Sequence, residues 1–419
     1  MLTRLTLFQF KNFRGLEQLA LGPFTVLIGA NAAGKSNLRD ALRFLHGLNR
    51  GYSVADVLGE KYGEGGALLW RGIRGGKREV ASYGQNQVIL QAQLQTELEG
   101  QLHQLFYEVC FLIGANGSAP CIAHERVEDH SIQPTLRLFE AEVRDPRSGS
   151  LNVRGTLGQH QLSNTVSVLH QLQFSGLRQP QTAEAEQTQA LLHQVTTHLS
   201  RMRFFDFEPE VMRRRSFPGQ NILGDRGESL SSVLQHLCHS PQRKATLLSW
   251  LQELTPMAIV DLDFVEDPLS GEVVFVLIEE NGQRTSAFSA SDGTLRFLGI
   301  LASLLSEEEN QFYCFEELEN GIHPAQLHLL IQLIEEQVGA GKKQVLATTH
   351  SPQLLNFLSP PSLAHAALVY RLPDQNYSQI KPILQIPQAE ELIGKYGSGD
   401  LHQSHWFENA LYFLDEAKG

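Results

Sequence analysis

No stretch of the sequence stays apolar for the ~18 residues that a membrane-spanning helix requires, which argues against an integral membrane protein. The first residues, MLTRLTLFQF, lack the long apolar region and small-residue cleavage site of a secretory signal, so a cytoplasmic location is expected. Cysteine is scarce. Cys110, Cys121, Cys238 and Cys314 are widely separated and form no C-x-x-C pair, which excludes a zinc ribbon and a disulfide framework. The group His236, Cys238, His239 has no second ligand pair at zinc-like spacing and reads as structural. A basic surplus is missing as well: 34 Lys and Arg against 46 Asp and Glu leave a formal charge of −12. Such a molecule repels polyanions at long range, so contact with nucleic acid requires a local basic patch. Arg201, Arg203, Arg213, Arg214 and Arg215 make a basic cluster, and a solvated face is its default explanation. Internal repeats and sustained heptads are absent, which excludes a long coiled-coil arm.

What the sequence does contain is ordinary for a water-soluble protein: 419 residues, 42% of them hydrophobic, enough for two or three lobes with sizeable cores. Phe24, Val26, Leu27 and Ile28 form a short apolar run, the pattern of a strand covered on both faces. Gly29-Ala30-Asn31-Ala32-Ala33-Gly34-Lys35-Ser36 follows at once and matches G-x-x-x-x-G-K-[ST] at every fixed position. Small residues let successive backbone N–H groups curl around a phosphate, Lys35 reaches the β- and γ-phosphates, and the Ser36 hydroxyl ligates Mg²⁺. Leu38, Ala41, Leu42 and Leu45 then recur at helical spacing, so the loop and Asn37 open a helix whose positive end faces the phosphates. A nucleotide is the expected ligand.

Around this loop the chain reads as a mixed sheet with an antiparallel region. Residues 2–10 alternate and predict a strand, with a second near Leu16 to Leu21 and further strands at Val88 to Leu94, Leu105 to Ile113 and Thr135 to Val143. The leucine and valine spacings of residues 161–255 predict a mainly helical inserted lobe, which divides the chain into 1–160, 161–255 and 256–419. The sheet resumes with a hairpin, Ile259 to Val265 and Val273 to Ile278.

The remaining chemistry lies beyond Ser289. Gln311 to Phe315 is an apolar run closed by Glu316 and Glu317, as expected of a buried strand that delivers one carboxylate to a metal and another to an attacking water. The turn-rich segment Leu318-Glu319-Asn320-Gly321-Ile322-His323-Pro324 follows, then a helix, then a strand from Gln344 that ends in Thr348-Thr349-His350-Ser351-Pro352. With Ser289-Ala290-Ser291-Asp292-Gly293-Thr294 ahead of them, these motifs resemble the ABC-type ATPases of the RecF, SMC and OLD-like group. The nearest likeness is to single-chain AAA-type ATPases with ENGLHP-like and TTHSP-like motifs.

The resemblance implies an α/β P-loop NTPase of ABC-ATPase type that binds ATP and Mg²⁺. It implies that Gly29 to Asn37 cradle the phosphates and that Ser36 and Glu316 hold the metal. Glu317 would be the general base, with Lys35 and His350 completing the catalytic set, and Ser291, Asp292 and Gly293 would complete the site of an opposite subunit. Position 316 is Glu where many relatives have Asp. Arg14 sits where relatives bring a basic residue near the nucleotide. The implied assembly is an ATP-dependent homodimer, a slow switch rather than a motor, with roles in DNA repair or in defence against foreign DNA. OLD-like relatives fuse a nuclease domain after the ATPase. About seventy residues follow His350, fewer than such a domain needs, so a separate effector such as a nuclease is expected, with DNA as a candidate ligand. The rival expectation is an ATP-dependent scaffold that holds a toxin-like partner without touching DNA.

Overall fold

The computed structural model describes residues 1–66, 68–114, 118–143, 149–174, 182–254, 258–306, 311–341, 343–373 and 375–416. The chain forms two compact units. The first comprises Met1–Met202, Ala364–Ala389 and Phe407–Gly419, and the second Arg203–Leu363 and Glu390–Trp406.

The first unit is built on an eight-stranded antiparallel sheet. Its order is Gly158–Ser163, Ser150–Gly155, Leu136–Glu142, Cys121–Asp129, Gln101–Leu112, Gln87–Leu98, Leu2–Phe10 and Phe13–Ala20. Alternation makes one face apolar: along Gln87–Leu98, residues Val88, Leu90, Ala92 and Leu94 are buried while the intervening positions are not. The helix Lys35–Asn49 packs on this unit's apolar interior, where Phe44 stacks on Phe111 with ring centroids 4.3 Å apart. It also touches the helix Ala183–Ser200, whose Leu199 carbonyl lies 3.1 Å from His46 Nδ1. The predicted loop strand is Phe24–Ile28, fully buried along its length, parallel to Ala366–Tyr370, which in turn pairs antiparallel with Gln379–Pro382.

In the second unit Arg203–Phe205, Gln311–Phe315 and Lys343–Thr349 run parallel, with Phe205 stacked on Phe315 at 5.3 Å. The expected hairpin is present as Ile259–Glu266 and Val273–Glu279, extended by Arg284–Ser286 into a three-stranded sheet. The helix Asp292–Leu304 buries Leu295, Leu298 and Leu301, which recur at helical spacing.

Two features depart from the sequence reading. Residues 161–255 do not gather into one lobe. The helices Val168–Phe174 and Ala183–Ser200 belong to the first unit, whereas Leu230–Cys238 and Pro241–Leu254 belong to the second. Helical spacing shows that a segment has an apolar face but not what covers it, and these faces are covered by different partners. The strand Cys121–Asp129 was also not foreseen, because Glu125, Glu128 and Asp129 occupy buried positions and break the expected pattern. Glu125, with no exposure, is satisfied by Tyr107 Oη at 3.0 Å, Ser167 Oγ at 2.7 Å and the N–H groups of Val168 and Leu169 at 2.7 and 3.2 Å. Burial pushes its carboxyl above the usual range despite these donors.

Candidate functional site

The phosphate loop has the conformation its glycines permit. Gly29 has φ 147° and Gly34 φ 115°, and Ala32 also lies in the left-handed region at φ 62°. A Cβ at Gly29 would stand 2.0 Å from the Val369 carbonyl oxygen of the neighbouring strand, so no other residue fits there. Ala30, Asn31 and Ala32 are exposed, Ala33, Gly34 and Lys35 are buried, and Ser36 and Asn37 are half-buried in the first turn of the helix. The Lys35 ammonium folds over its own loop and donates to the carbonyls of Gly29 at 2.5 Å and Ala30 at 3.1 Å.

Residues that sequence reasoning did not single out hold the loop from behind. Ser378 Oγ donates to the Ala33 carbonyl at 2.5 Å and accepts from Asn12 Nδ2, while Asn37 Nδ2 donates to Asn12 Oδ1 at 2.6 Å. Lys11 is ion-paired with Asp40, a nearly fully buried residue of the loop helix that Arg74 Nε also approaches at 3.3 Å. Burial pulls the Lys11 ammonium below its ordinary value, although Asp40 pulls it back. Arg14 is exposed.

The acids and the histidine lie together in the second unit. Glu316 follows the strand Gln311–Phe315 and donates its N–H to the Phe205 carbonyl at 3.0 Å. Glu317 takes φ 47°, uncommon for a side-chain-bearing residue. Its N–H is held by Thr348 Oγ1 at 3.0 Å. The effect is to turn the carboxylate outward: it is half exposed, with Oε1 3.5 Å from His350 Nε2 and Oε2 accepting from Asn320 Nδ2 at 3.3 Å. Glu319, unforeseen, accepts from the N–H groups of His350 at 2.7 Å and Ser351 at 3.1 Å and so ties the turn after the acid pair to the histidine segment.

Ser291 caps the helix Asp292–Leu304, its hydroxyl accepting from the Thr294 N–H at 3.1 Å. Gly293 lies against the turn of the acid segment, where a Cβ would meet the Gly321 carbonyl oxygen at 2.1 Å. Arg213 donates to the Ala290 carbonyl at 3.1 Å, to Asp292 Oδ1 at 2.5 Å and to Glu210 at 3.0 Å, and Arg215 pairs with Asp267 at 2.5 Å. Two arginines of the candidate basic patch are therefore already matched to carboxylates.

A buried strand, a glycine-hinged loop over a helix N-terminus and a strand ending in paired carboxylates define a P-loop NTPase of the ABC-ATPase type. The chain belongs to the family described as "AAA domain, putative AbiEii toxin, Type IV TA system", whose model matches residues 24–83 and 178–356. Solved structures that resemble it include the SMC head domain from Thermotoga maritima, 12% identical over 91% of this chain and 98% of that one, with a TM-score of 0.41. Two others are the SMC head bound to the C-winged helix domain of ScpA (14%, 91% and 96%, TM-score 0.46) and the SMC head with an extended coiled coil bound to the C-terminal domain of ScpA derived from Pyrococcus furiosus (11%, 94% and 98%, TM-score 0.46). No curated protein matches the chain. Among the described residues no helix is long and apolar enough to cross a membrane.

Proposed function

We propose that this chain binds and hydrolyses ATP as a slow switch, dimerises around the nucleotide, and acts with a separate effector in DNA repair or in defence against foreign DNA. The observation that carries the ATPase reading is the Glu317 carboxylate turned outward beside His350 at 3.5 Å, in a chain whose loop has the glycine-dependent conformation of a phosphate cradle. Backbone N–H groups of Gly29 to Asn37 and the Lys35 ammonium would hold the phosphates. Glu317 would orient and deprotonate the attacking water, and His350 would sense the γ-phosphate. A hard divalent cation takes oxygen ligands, and the half-buried Ser36 hydroxyl and Glu316 carboxylate are of that kind. Bound there, Mg²⁺ would neutralise charge on the phosphates. Ser291, Asp292 and Gly293 would complete the site of a second copy.

The test is hydrolysis. Glu317→Gln should keep ATP binding and lose turnover by ~10²-fold or more, whereas Lys35→Ala should lose binding itself. Equal turnover in Glu317→Gln and the parent removes Glu317 from the role of base.

A second reading is an ATP-dependent scaffold that restrains a toxin-like partner without touching DNA. The pairing of Arg213 and Arg215 with carboxylates favours it, as does the family's description. DNA binding measured across a salt series, with and without ATP, separates the two, since phosphate contacts must weaken as salt rises.

A further inference from the structure

We infer that Ser378, held by Asn12, is a positioning residue that sets the orientation of the Gly34 amide, one of the phosphate-binding N–H groups. The inference rests on the nucleotide-binding reading of the loop and names the groups that make it competent. Asn37 Nδ2 donates to Asn12 Oδ1 at 2.6 Å, Asn12 Nδ2 donates to Ser378 Oγ, and Ser378 Oγ donates to the Ala33 carbonyl at 2.5 Å. All three bonds run in one direction and end on the loop. A hydroxyl has one proton to give, and this one goes to the Ala33 carbonyl while the Asn12 amide fills one of its two lone pairs. Ser378 cannot slip away, because it is fully buried and its own N–H is anchored to the Asn12 carbonyl at 2.8 Å.

The consequence follows from peptide geometry. The Ala33–Gly34 peptide is planar and trans, so its C=O and N–H point in opposite directions. Fixing the Ala33 carbonyl toward Ser378 fixes the Gly34 N–H away from it. Gly34 is also where the brace comes closest: a Cβ there would lie 2.9 Å from Asn12 Nδ2 and 3.0 Å from Ser378 Oγ, so the second loop glycine is required by the brace as well as by its φ of 115°. A staple that merely tied residues 12 and 378 together would not need to end on a loop carbonyl.

The experiment uses the full chain carrying Glu317→Gln, so that nucleotide is not consumed, and measures dissociation constants for ATP and for inorganic tripolyphosphate alongside melting without ligand. Ser378→Ala should weaken both ligands by about tenfold, the size of one misdirected hydrogen bond. The ligand-free melting temperature should fall by no more than a few degrees, the cost of leaving the Ala33 carbonyl and the Asn12 amide unpaired, and Ser378→Thr, which keeps the hydroxyl, should restore affinity. Asn12→Ala, at a half-buried position, should weaken both ligands by a similar factor, and the double variant should be no worse than either single one. This second variant carries the test if Ser378→Ala does not fold. Unchanged affinity in both variants, or lower stability at unchanged affinity, overturns the inference. Failure of the Glu317→Gln parent to bind ATP would instead overturn the nucleotide reading, and this inference with it.

Discussion

From Gly29 to Ser36 the loop is braced from one side by its own unit: Lys35 bonds to two loop carbonyls, Ser378 and Asn12 hold it from behind, and Gly29 lies against a neighbouring strand. The turn after Gln311–Phe315 is fastened differently, by the backbone at Glu316, Glu317 and Leu318 and by the single carboxylate of Glu319, leaving the Glu317 side chain half exposed. A group that must present fixed N–H donors gains from being rigid before the ligand arrives. A base that must meet a water and a phosphate, the role proposed for Glu317, needs a fixed origin and a reachable tip. The two regions therefore predict different failures when disturbed, binding for the loop and turnover for the turn.

The largest effects should come from the two crowded glycines. Gly29→Ala places a methyl 2.0 Å from the Val369 carbonyl at a φ of 147°, and ATP affinity should fall by ~10²-fold or more as the loop is displaced. Gly293→Ala meets the Gly321 carbonyl at 2.1 Å and should displace the acid-bearing turn, so turnover falls while ATP binding by the loop survives. Calorimetric binding and phosphate release on the same preparations decide the matter. Equal loss of binding in both variants would erase the distinction between the regions. The crowding within its own chain also means that a bulky residue at position 293 does not isolate assembly, since it disturbs the turn before any second subunit arrives.

A smaller effect is expected at Glu319. Glu319→Ala removes a carboxylate acceptor from two N–H groups and frees the backbone of His350 and Ser351. Bonds to a charged group contribute about 1.5–3 kcal/mol, so turnover should drop about tenfold or more with ATP affinity unchanged. Glu319→Gln, which keeps an acceptor oxygen, should lose less. If affinity falls and turnover at saturation does not, the turn serves binding after all.

The same contrast explains what could be read from residue order. Gly29 to Ser36, Glu316, Glu317 and His350 are legible because each stands at the end of a buried strand whose apolar run announces it. The helix Lys35–Asn49 and the hairpin Ile259–Glu266 with Val273–Glu279 appear with the expected periodicity. Asn12 and Ser378 were not legible, since they are polar residues between regular elements, 366 positions apart, and only the fold brings them together. Glu319 was hidden inside the turn motif, where an acidic residue looks like solvent-facing filler. The strand Cys121–Asp129 was missed because its buried carboxylates are compensated by partners distant in sequence, among them Ser167. The span 161–255 misled because apolar spacing does not say which unit a helix will cover.

The smallest expected effect lies in the eight-stranded sheet, and sharpens the comparison by showing what purely structural charge does. Burial pushes the Glu108 carboxyl up, but the hydrogen bonds from His124 and Gln91 and the Arg126 charge outweigh it and hold it down at about 2, against an ordinary 4.5. The hydrogen bond to Glu108 raises His124 above 6.5, with burial opposing and Glu140 assisting. A carboxylate depressed on folding stabilises fully above its unfolded value and loses that contribution as pH falls from about 4.5 toward 2. A histidine raised on folding stabilises fully below 6.5 and loses its contribution as pH rises through its folded value. The cluster should therefore contribute most between these limits. With Glu108 mostly buried, its replacement by Gln should cost about 1–3 kcal/mol near pH 5.5 and less near pH 3 and pH 8. Denaturant melts at the three pH values check this, and turnover under native conditions should not change. A Glu108→Gln protein with parental pH dependence of stability would show that the cluster is solvated in solution, and a loss of turnover at unchanged stability would connect this sheet to the site.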